Sequence, residues 1–317
     1  MILVVTLNPA LDVTHHVPRV DWSGVNRPVA VRARPGGKGL NVARTLHALG
    51  AEVLAVGLAG GITGAAVRSG LSEAGVPAAF SDIAGETRRT FAVVDDHRGR
   101  TALFNEPGPP VSAAEYQRFL ASYAEALPGC AAVVLSGSLP PGVAQDSYAE
   151  LTGLAAAASV PAVLDAEGEA LLRAAPGRPA IVKPNLAELE RCTGRPMSGP
   201  AGFDRAAVIG AARELMAAGA QSVVVSLGAD GLLAVTGDGL WHAAPPGEAQ
   251  GNPTGAGDAV VAGLAHGLAL GRCWQERLRH AVALGTASAA APAAGEFRHA
   301  DYRRLLGDVR IAPGEAG

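Results

Sequence analysis

The chain has 317 residues, with 26 Lys plus Arg against 29 Asp plus Glu, a formal net charge of −3, 49% hydrophobic side chains and 4% aromatic ones. That length corresponds to about two domains, or to one large α/β unit with an appendage, and excludes a coiled fibre or a peptide-sized scaffold. The balanced charge speaks against a nucleic-acid footprint and for small-molecule partners, and the apolar content argues against disorder.

The 41 Gly and 22 Pro indicate a core of small aliphatic side chains joined by many tight turns. The three cysteines, Cys130, Cys192 and Cys273, have neither zinc nor disulfide-framework spacing, and a reducing cytoplasm is the expected setting. Neither a secretory leader nor a membrane-spanning stretch is expected, because the apolar runs are broken well short of a span.

In chain order, ILVVT at 2–6 reads as a buried strand, followed by VTHHV and VAVRAR between Asp12 and Arg34, a half-exposed hairpin of alternating pattern. The glycine loop 35–41 opens a helix over Leu40–Leu49, and VLAVG at 53–57 is the next strand. TFAVVDD and RTALFNE, between Thr87 and Glu106, form a second hairpin around Asp96-His97-Arg98-Gly99. A helix over Ala113–Leu127 precedes strands at 131–137, 162–165 and 180–185. A helix over Asp204–Ala218, a strand at 222–228 and a helix over Asp258–Leu270 complete the rhythm, and the tail after Arg310 is expected to fray.

Near-continuous Val/Ile/Leu strands alternating with helices predict an α/β fold, a doubly wound and mainly parallel sheet with helices on both faces. The main domain is expected over 1–11, 35–86 and 109–310, a small β-sheet lid over 12–34 and 87–108, and a tail over 311–317. The lid's exposed face needs a partner, and a homodimer through it is the expected assembly.

Ligands of such sheets sit beyond the carboxyl ends of the strands, so the residues after each apolar run come first. In Asn252-Pro253-Thr254-Gly255-Ala256-Gly257-Asp258-Ala259 the glycines let backbone approach a ligand, and the following helix start presents amides to an anion. Asp258 is either a helix N-cap or an acid facing that anion. Pro35-Gly36-Gly37-Lys38-Gly39-Leu40-Asn41 is not a Walker A loop; it is a structural helix start, or it offers Lys38 and Asn41 to a substrate's phosphate and hydroxyls. Lys183-Pro184-Asn185-Leu186-Ala187-Glu188 reads as a capping box or as a place where Glu188 holds Mg²⁺. Ser226 to Gly231 is a hairpin turn or a nucleotide-phosphate approach, and the glycines at 57–64 lack the dinucleotide register. His15 and His16, adjacent on a strand, face opposite sides and do not pair on a metal.

Eight segments then stand in family order: Thr6–Asp12, GGKGLN at 36–41, Thr87-Arg88, Asn105–Pro109, Leu135–Gly142, KPNLAELE at 183–190, SLGADG at 226–231 and GAGD at 255–258. On these the chain, from Val4 to about Gly295, resembles the PfkB group of ribokinase-like sugar kinases. LNPALD, GGKG, NEPGP and SGSLPPG are similar to the branch that acts on phosphosugars: 1-phosphofructokinase, tagatose-6-phosphate kinase and the minor 6-phosphofructokinase.

The resemblance implies a ribokinase-like three-layer fold, ATP as phosphoryl donor, Mg²⁺, and a phosphorylated ketohexose as acceptor, fructose 1-phosphate first. It implies Asp258 as general base, with the amides of Gly255, Ala256 and Gly257 as the anion hole. Asp12, Gly37 and Asn41, with Asn105 and Ser136, form the sugar site, and Lys38 with Arg88 clamps the substrate's phosphate. Lys183, Asn185, Ser226, Gly228 and Gly231 fall on nucleotide-site positions, and Glu188 holds Mg²⁺ through water. The departures are Arg89-Thr90, Asp165-Ala166-Glu167-Gly168 for the usual Asp-Ser-Ser-Gly, and PTGAGDA for TVGAGDS. A non-catalytic sugar-phosphate sensor on the same fold is the alternative from another class, and an intact Asp258, Glu188 and GAG loop speak against it.

Overall fold

A computed structural model describes residues 1–199, 202–247, 254–291 and 293–314. The chain begins with β1 (Ile2–Thr6), passes into β2 (Ala10–Val17) and β3 (Ala30–Gly36), and enters α1 (Lys38–Ala48) directly. β4 (Val53–Ala59), α2 (Gly61–Glu73) and β5 (Ala78–Asp82) lead to β6 (Arg88–Asp95) and β7 (Arg100–Asn105). Then come α3 (Ala113–Ala126), β8 (Ala132–Ser136), α4 (Ser147–Ala157), β9 (Ala162–Asp165), α5 (Glu169–Ala174), β10 (Ile181–Val182) and α6 (Leu186–Thr193). The two-residue strands β11 (Ser198–Gly199) and β12 (Gly202–Phe203) pair with each other ahead of α7 (Arg205–Ala217). The remainder is β13 (Val223–Ser226), β14 (Leu232–Thr236), β15 (Gly239–Ala244), α8 (Ala256–Ala269), α9 (Trp274–Ala289), α10 (His299–Asp308) and β16 (Arg310–Pro313).

The large sheet has ten strands in the order β16-β15-β14-β13-β10-β9-β8-β1-β4-β5. Pairing is parallel from β13 to β5 and antiparallel from β13 outward to β16. Successive side chains of one strand enter different cores. Leu3 and Val5 join Leu135, Leu164 and Val225 with Phe119 of α3 and Leu151 of α4. Ile2 and Val4 join Val134, Val163 and Val224 with Leu40 of α1, Leu264 of α8 and Leu278 of α9. Both faces being covered is why these strands read as unbroken Val/Ile/Leu runs, each buried side chain contributing about 1.5–3 kcal/mol. Among the described residues no helix is long and apolar enough to cross a membrane.

The strand expected over 180–185 shrinks to Ile181–Val182. Lys183 N–H still donates to Leu164 O at 2.9 Å, but Pro184 has no N–H with which to continue the ladder. The start of the tail, expected to fray from 311, instead supplies β16, which pairs with β15 from Ala244↔Arg310 to Trp241↔Pro313, while residues 315–317 lie outside the described residues. Its unpatterned sequence RIAP carries no strand signal of its own, and the pairing is imposed by the exposed edge of β15.

The two hairpins merge into one smaller four-stranded sheet, β3-β2-β6-β7, joined by parallel pairing of β2 with β6. β2 starts four residues after β1 ends, and β3 runs to the threshold of α1, so the small sheet is continuous with the carboxyl edge of the large one. Val29, Val31, Leu103 and Phe104 on or beside its outer strands are exposed.

Candidate active site

Doubly wound sheets place ligands where the strand order changes direction, here between β1 and β8. Ser136 and Asp165 sit side by side at the ends of β8 and β9, and Asn185, beyond β10, bridges to Ser226 at the end of β13. Facing this edge is the start of α8. Gly255, its N-cap, has φ 86, and a Cβ there would fall 2.4 Å from Ala294 Cβ, so only glycine fits. Among the described residues no side chain caps the helix, and its first-turn amides point out of its N-terminal end, where an anion is favoured.

Asp258 is the third residue inside the helix and not its N-cap, which removes the bland reading. Its buried carboxylate accepts from Asn41 Nδ2 at 2.8 Å. The Asn41 amide is oriented in turn by Arg44 Nη2, which donates to Asn41 Oδ1 at 2.8 Å and to Ala294 O. Burial, and then the neighbouring Asp165 carboxylate, raise the Asp258 pKa to about 7, against the opposing pull of Asn41, Lys38 and Lys183. A carboxylate balanced near neutrality at a helix start is equipped to take a proton.

Two ammonium groups share the floor. Lys183 is buried and lies 3.2 Å from Asp165 Oδ1. Lys38 Nζ meets Glu167 Oε1 at 2.5 Å, Glu188 Oε1 at 3.3 Å and Asp165 Oδ1 at 4.0 Å. Burial alone would depress the Lys38 pKa, but Asp165, Glu188 and Glu167 together hold it above the ordinary lysine value. Of the two readings of 183–188, the capping box is present. Glu188 Oε2 accepts from Asn185 N–H at 2.8 Å, while Oε1 is turned toward Lys38.

On the small-sheet side, Asp12 stands opposite Thr90 and Arg34, with its carboxylate laid over Gly36; a Cβ on Gly36 would lie 2.0 Å from Asp12 Cγ. Burial raises the Asp12 pKa, while Thr90, Arg34, Arg44 and Arg88 pull it back. Gly37, at φ 100, makes the turn into α1. Arg88 donates from Nε to Asn8 O and from Nη1 to Glu106 O, both at 3.2 Å. The two members of the expected clamp have different protein partners: Lys38 lies with Asp165, Glu167 and Glu188, and Arg88 with Asn8 and Glu106. Arg89 alternates away from Arg88 and reaches Thr63 Oγ1 at 3.4 Å. Asn105 is exposed at the end of β7, opposite Thr90.

Ser136 Oγ, Thr6 Oγ1 and Asn8 Oδ1 are buried and without a hydrogen-bond partner among the described residues. Each such group costs about 1–3 kcal/mol unless a ligand or water meets it, and all three belong to the ends of β1 and β8. The glycines of the 226–231 turn have a backbone explanation. Gly228, at φ 62, turns the β13–β14 hairpin, and a Cβ on Gly231 would sit 2.0 Å from Ala243 O. At the third glycine loop, Glu86 accepts from Ile62 N and Thr63 N at 3.2 and 2.6 Å and fills the start of α2. His16 meets Asp96 at 3.2 Å while His15 stacks on Phe91, as alternation requires. Asn252 and Pro253 lie outside the described residues.

Motif reading noted Asp165 and Glu167 only within the departure from Asp-Ser-Ser-Gly and gave neither a role in the site, although Asp165 closes a buried strand and Glu167 lies just beyond it. Another signal was plain in the composition. Lys38 and Lys183 are the chain's two lysines; its other 24 basic residues are arginines. A compact ammonium is thus retained only at these two neighbouring positions.

An acid tuned near neutrality at an open helix start, beside paired lysines at the carboxyl edge of a parallel sheet, belongs to a phosphotransferase with a hydroxyl acceptor. A family model described as pfkB family carbohydrate kinase matches residues 5–298, and the chain belongs to that family. It is 41% identical over 270 residues to a 1-phosphofructokinase from Xanthomonas campestris pv. campestris, covering 84% of this chain and 83% of that one. Escherichia coli phosphofructokinase-2, in its complex with fructose-6-phosphate, superposes with a TM-score of 0.87 at 32% identity, over 96% of this chain and 98% of that one. A possible 1-phosphofructokinase from Thermotoga maritima gives 0.85 at 26% identity, over 99% of this chain and 100% of that one.

Proposed function

We propose that the chain transfers the γ-phosphoryl group of ATP to a hydroxyl of a phosphorylated ketohexose, fructose 1-phosphate being the preferred acceptor and fructose 1,6-bisphosphate the product. The observation that carries this is Asp258: buried, aimed by Asn41 and tuned to about 7 in the first turn of α8. The name of the Xanthomonas relative supports the choice of acceptor.

Asp258 accepts the proton of the attacking hydroxyl, and the amides of Gly255, Ala256 and Gly257 stabilise the charge gathering on the transferred group. Lys38 and Lys183 hold phosphate oxygens in line. Asp12, Asn41, Ser136 and Asn105 bind sugar hydroxyls, and Arg88 binds the acceptor's phosphate. Gly37 admits the sugar close to the backbone, while Asn185, Ser226, Gly228 and Gly231 shape the nucleotide side. The donor atoms around Glu188 and Asp165 are hard carboxylate oxygens, and among the described residues no group of three or more His, Cys, Asp or Glu is arranged to bind a metal alone. The hard oxygens fit Mg²⁺ held through Glu188 and water, which would keep most of its shell for water and phosphate and would neutralise charge on the donor. The segments 12–34 and 87–108 serve as a lid, and a second copy of the chain covers its exposed apolar face.

The test is coupled ADP release with ATP and Mg²⁺ across fructose 1-phosphate, fructose 6-phosphate, tagatose 6-phosphate and free hexoses. Highest kcat/KM on fructose 1-phosphate is expected; absence of turnover on every phosphosugar refutes the reading.

A further inference from the structure

Lys38 faces three carboxylates that are not equivalent. Asp165 and Glu188 are 2% and 3% exposed and fixed by strand end and capping box, whereas Glu167 is 49% exposed and makes the shortest contact, 2.5 Å. Glu167 lies in the turn between β9 and α5, directly before Gly168 at φ 60, ψ −136, a conformation reserved for glycine. A Cβ added at Gly168 would meet nothing within 4 Å, so this turn borders open space. A long, half-exposed side chain at a glycine pivot thus places an anionic oxygen pair on the outer side of the ammonium that the phosphoryl-transfer reading assigns to phosphate.

We propose that Glu167 competes with substrate for Lys38: its carboxylate occupies the phosphate position on the ammonium in the ligand-free enzyme and has to swing into solvent before a phosphate can take its place. The inference rests on the proposed function only in assigning a phosphate to Lys38. It follows from charge. With Glu167 in place, one ammonium is flanked by three acids, and an incoming phosphate meets net repulsion; with Glu167 withdrawn, phosphate replaces it, and the buried pair Asp165 and Glu188 keeps Lys38 protonated and aimed. An exposed ion pair of this kind shifts a competing equilibrium by about two- to fivefold. Glu167 therefore weakens binding of any phosphate-bearing ligand by that factor.

The test compares inorganic phosphate binding, by calorimetry on the full chain without nucleotide or sugar, in the wild type, Glu167→Gln and Glu167→Ser. Both variants should bind about two- to fivefold more tightly. In a Lys38→Met background the same Glu167→Gln change should have no effect, because the competition passes through the ammonium. Steady-state kinetics then identify the source of the phosphate: KM falls for fructose 1-phosphate if Lys38 holds the acceptor's group, and for ATP if it holds the donor's, with kcat moving less than KM in either case. Unchanged or weaker phosphate binding in both variants, a gain that persists without Lys38, or no fall in either KM overturns the proposal. A wild type without turnover on any phosphosugar would refute the proposed function while leaving the phosphate-binding ratio to judge Glu167 alone.

Discussion

Asp258→Asn separates what the site does from what it costs the fold. Burial and the Asp165 carboxylate raise the Asp258 pKa from 3.8 to about 7, so the ionised carboxylate is disfavoured in the folded chain by roughly 4 kcal/mol relative to the unfolded one. The folded pKa lies above the unfolded value, so the folded state binds more protons between the two. Stability is therefore highest below about pH 4, falls as the pH rises toward 7 and is level above it. Asparagine has nearly the same shape, keeps an oxygen for Asn41 Nδ2 to donate to, and carries no charge. At pH 8 the variant should be more stable by about 2–4 kcal/mol, or about 4–8 °C in melting temperature. By pH 5 more than half of that gain should vanish. Turnover should fall by about 10²–10⁴ while ATP still binds. Melting curves by circular dichroism from pH 4 to 9, paired with kcat, read both effects. A variant that is less stable than wild type at pH 8, or whose advantage is the same at pH 5, would show that Asp258 is not a strained buried acid. Near-normal turnover would remove it from the chemistry.

The remaining expectations are simpler. Wild-type kcat should drop about tenfold per pH unit on the acid side of about pH 7, as Asp258 protonates; a flat profile down to pH 5 refutes its role as base. Arg88→Ala should raise KM for the phosphosugar by about tenfold or more with little change in KM for ATP, and Arg88→Lys should recover only part of it, because a point charge lacks the fork geometry; equal effects on both KM values would contradict the assignment. Gly255→Ala should lose turnover and about 2 kcal/mol or more of stability, since the methyl meets Ala294 at a positive φ; unchanged melting would show that α8 begins elsewhere. Leu103→Glu should convert a dimer to monomers in sedimentation velocity, and an unaffected dimer would place the interface away from the small sheet.

Much of the fold was legible because its physics is local. β1, β8, β9 and β13 were readable since strands covered on both faces have to be apolar throughout, and each lies within two residues of its expected bounds. The β16 edge and the parallel joining of β2 to β6 were not, because pairing with a distant partner leaves no pattern in RIAP or in either hairpin alone. The site divides in the same way. Motif spacing located Gly255, Asp258, Asn41 and Glu188, but which groups meet is settled by tertiary distance. Lys38 and Arg88 read as one clamp and have different protein partners, while Glu167, noted only as a departure from a motif, makes the shortest contact to Lys38.

The confinement of lysine to two positions has a consequence for alkaline titration. Most proteins shed surface charge near pH 10 as their lysines deprotonate. Here the 24 arginines stay charged there, and burial pushes the hydroxyls of Tyr116, Tyr123, Tyr148 and Tyr302 upward. Apart from the thiols, few side chains are left to titrate across that range, and the carboxylates around Lys38 displace its ammonium to still higher pH, so this phosphate-facing charge persists where an ordinary lysine would lose it.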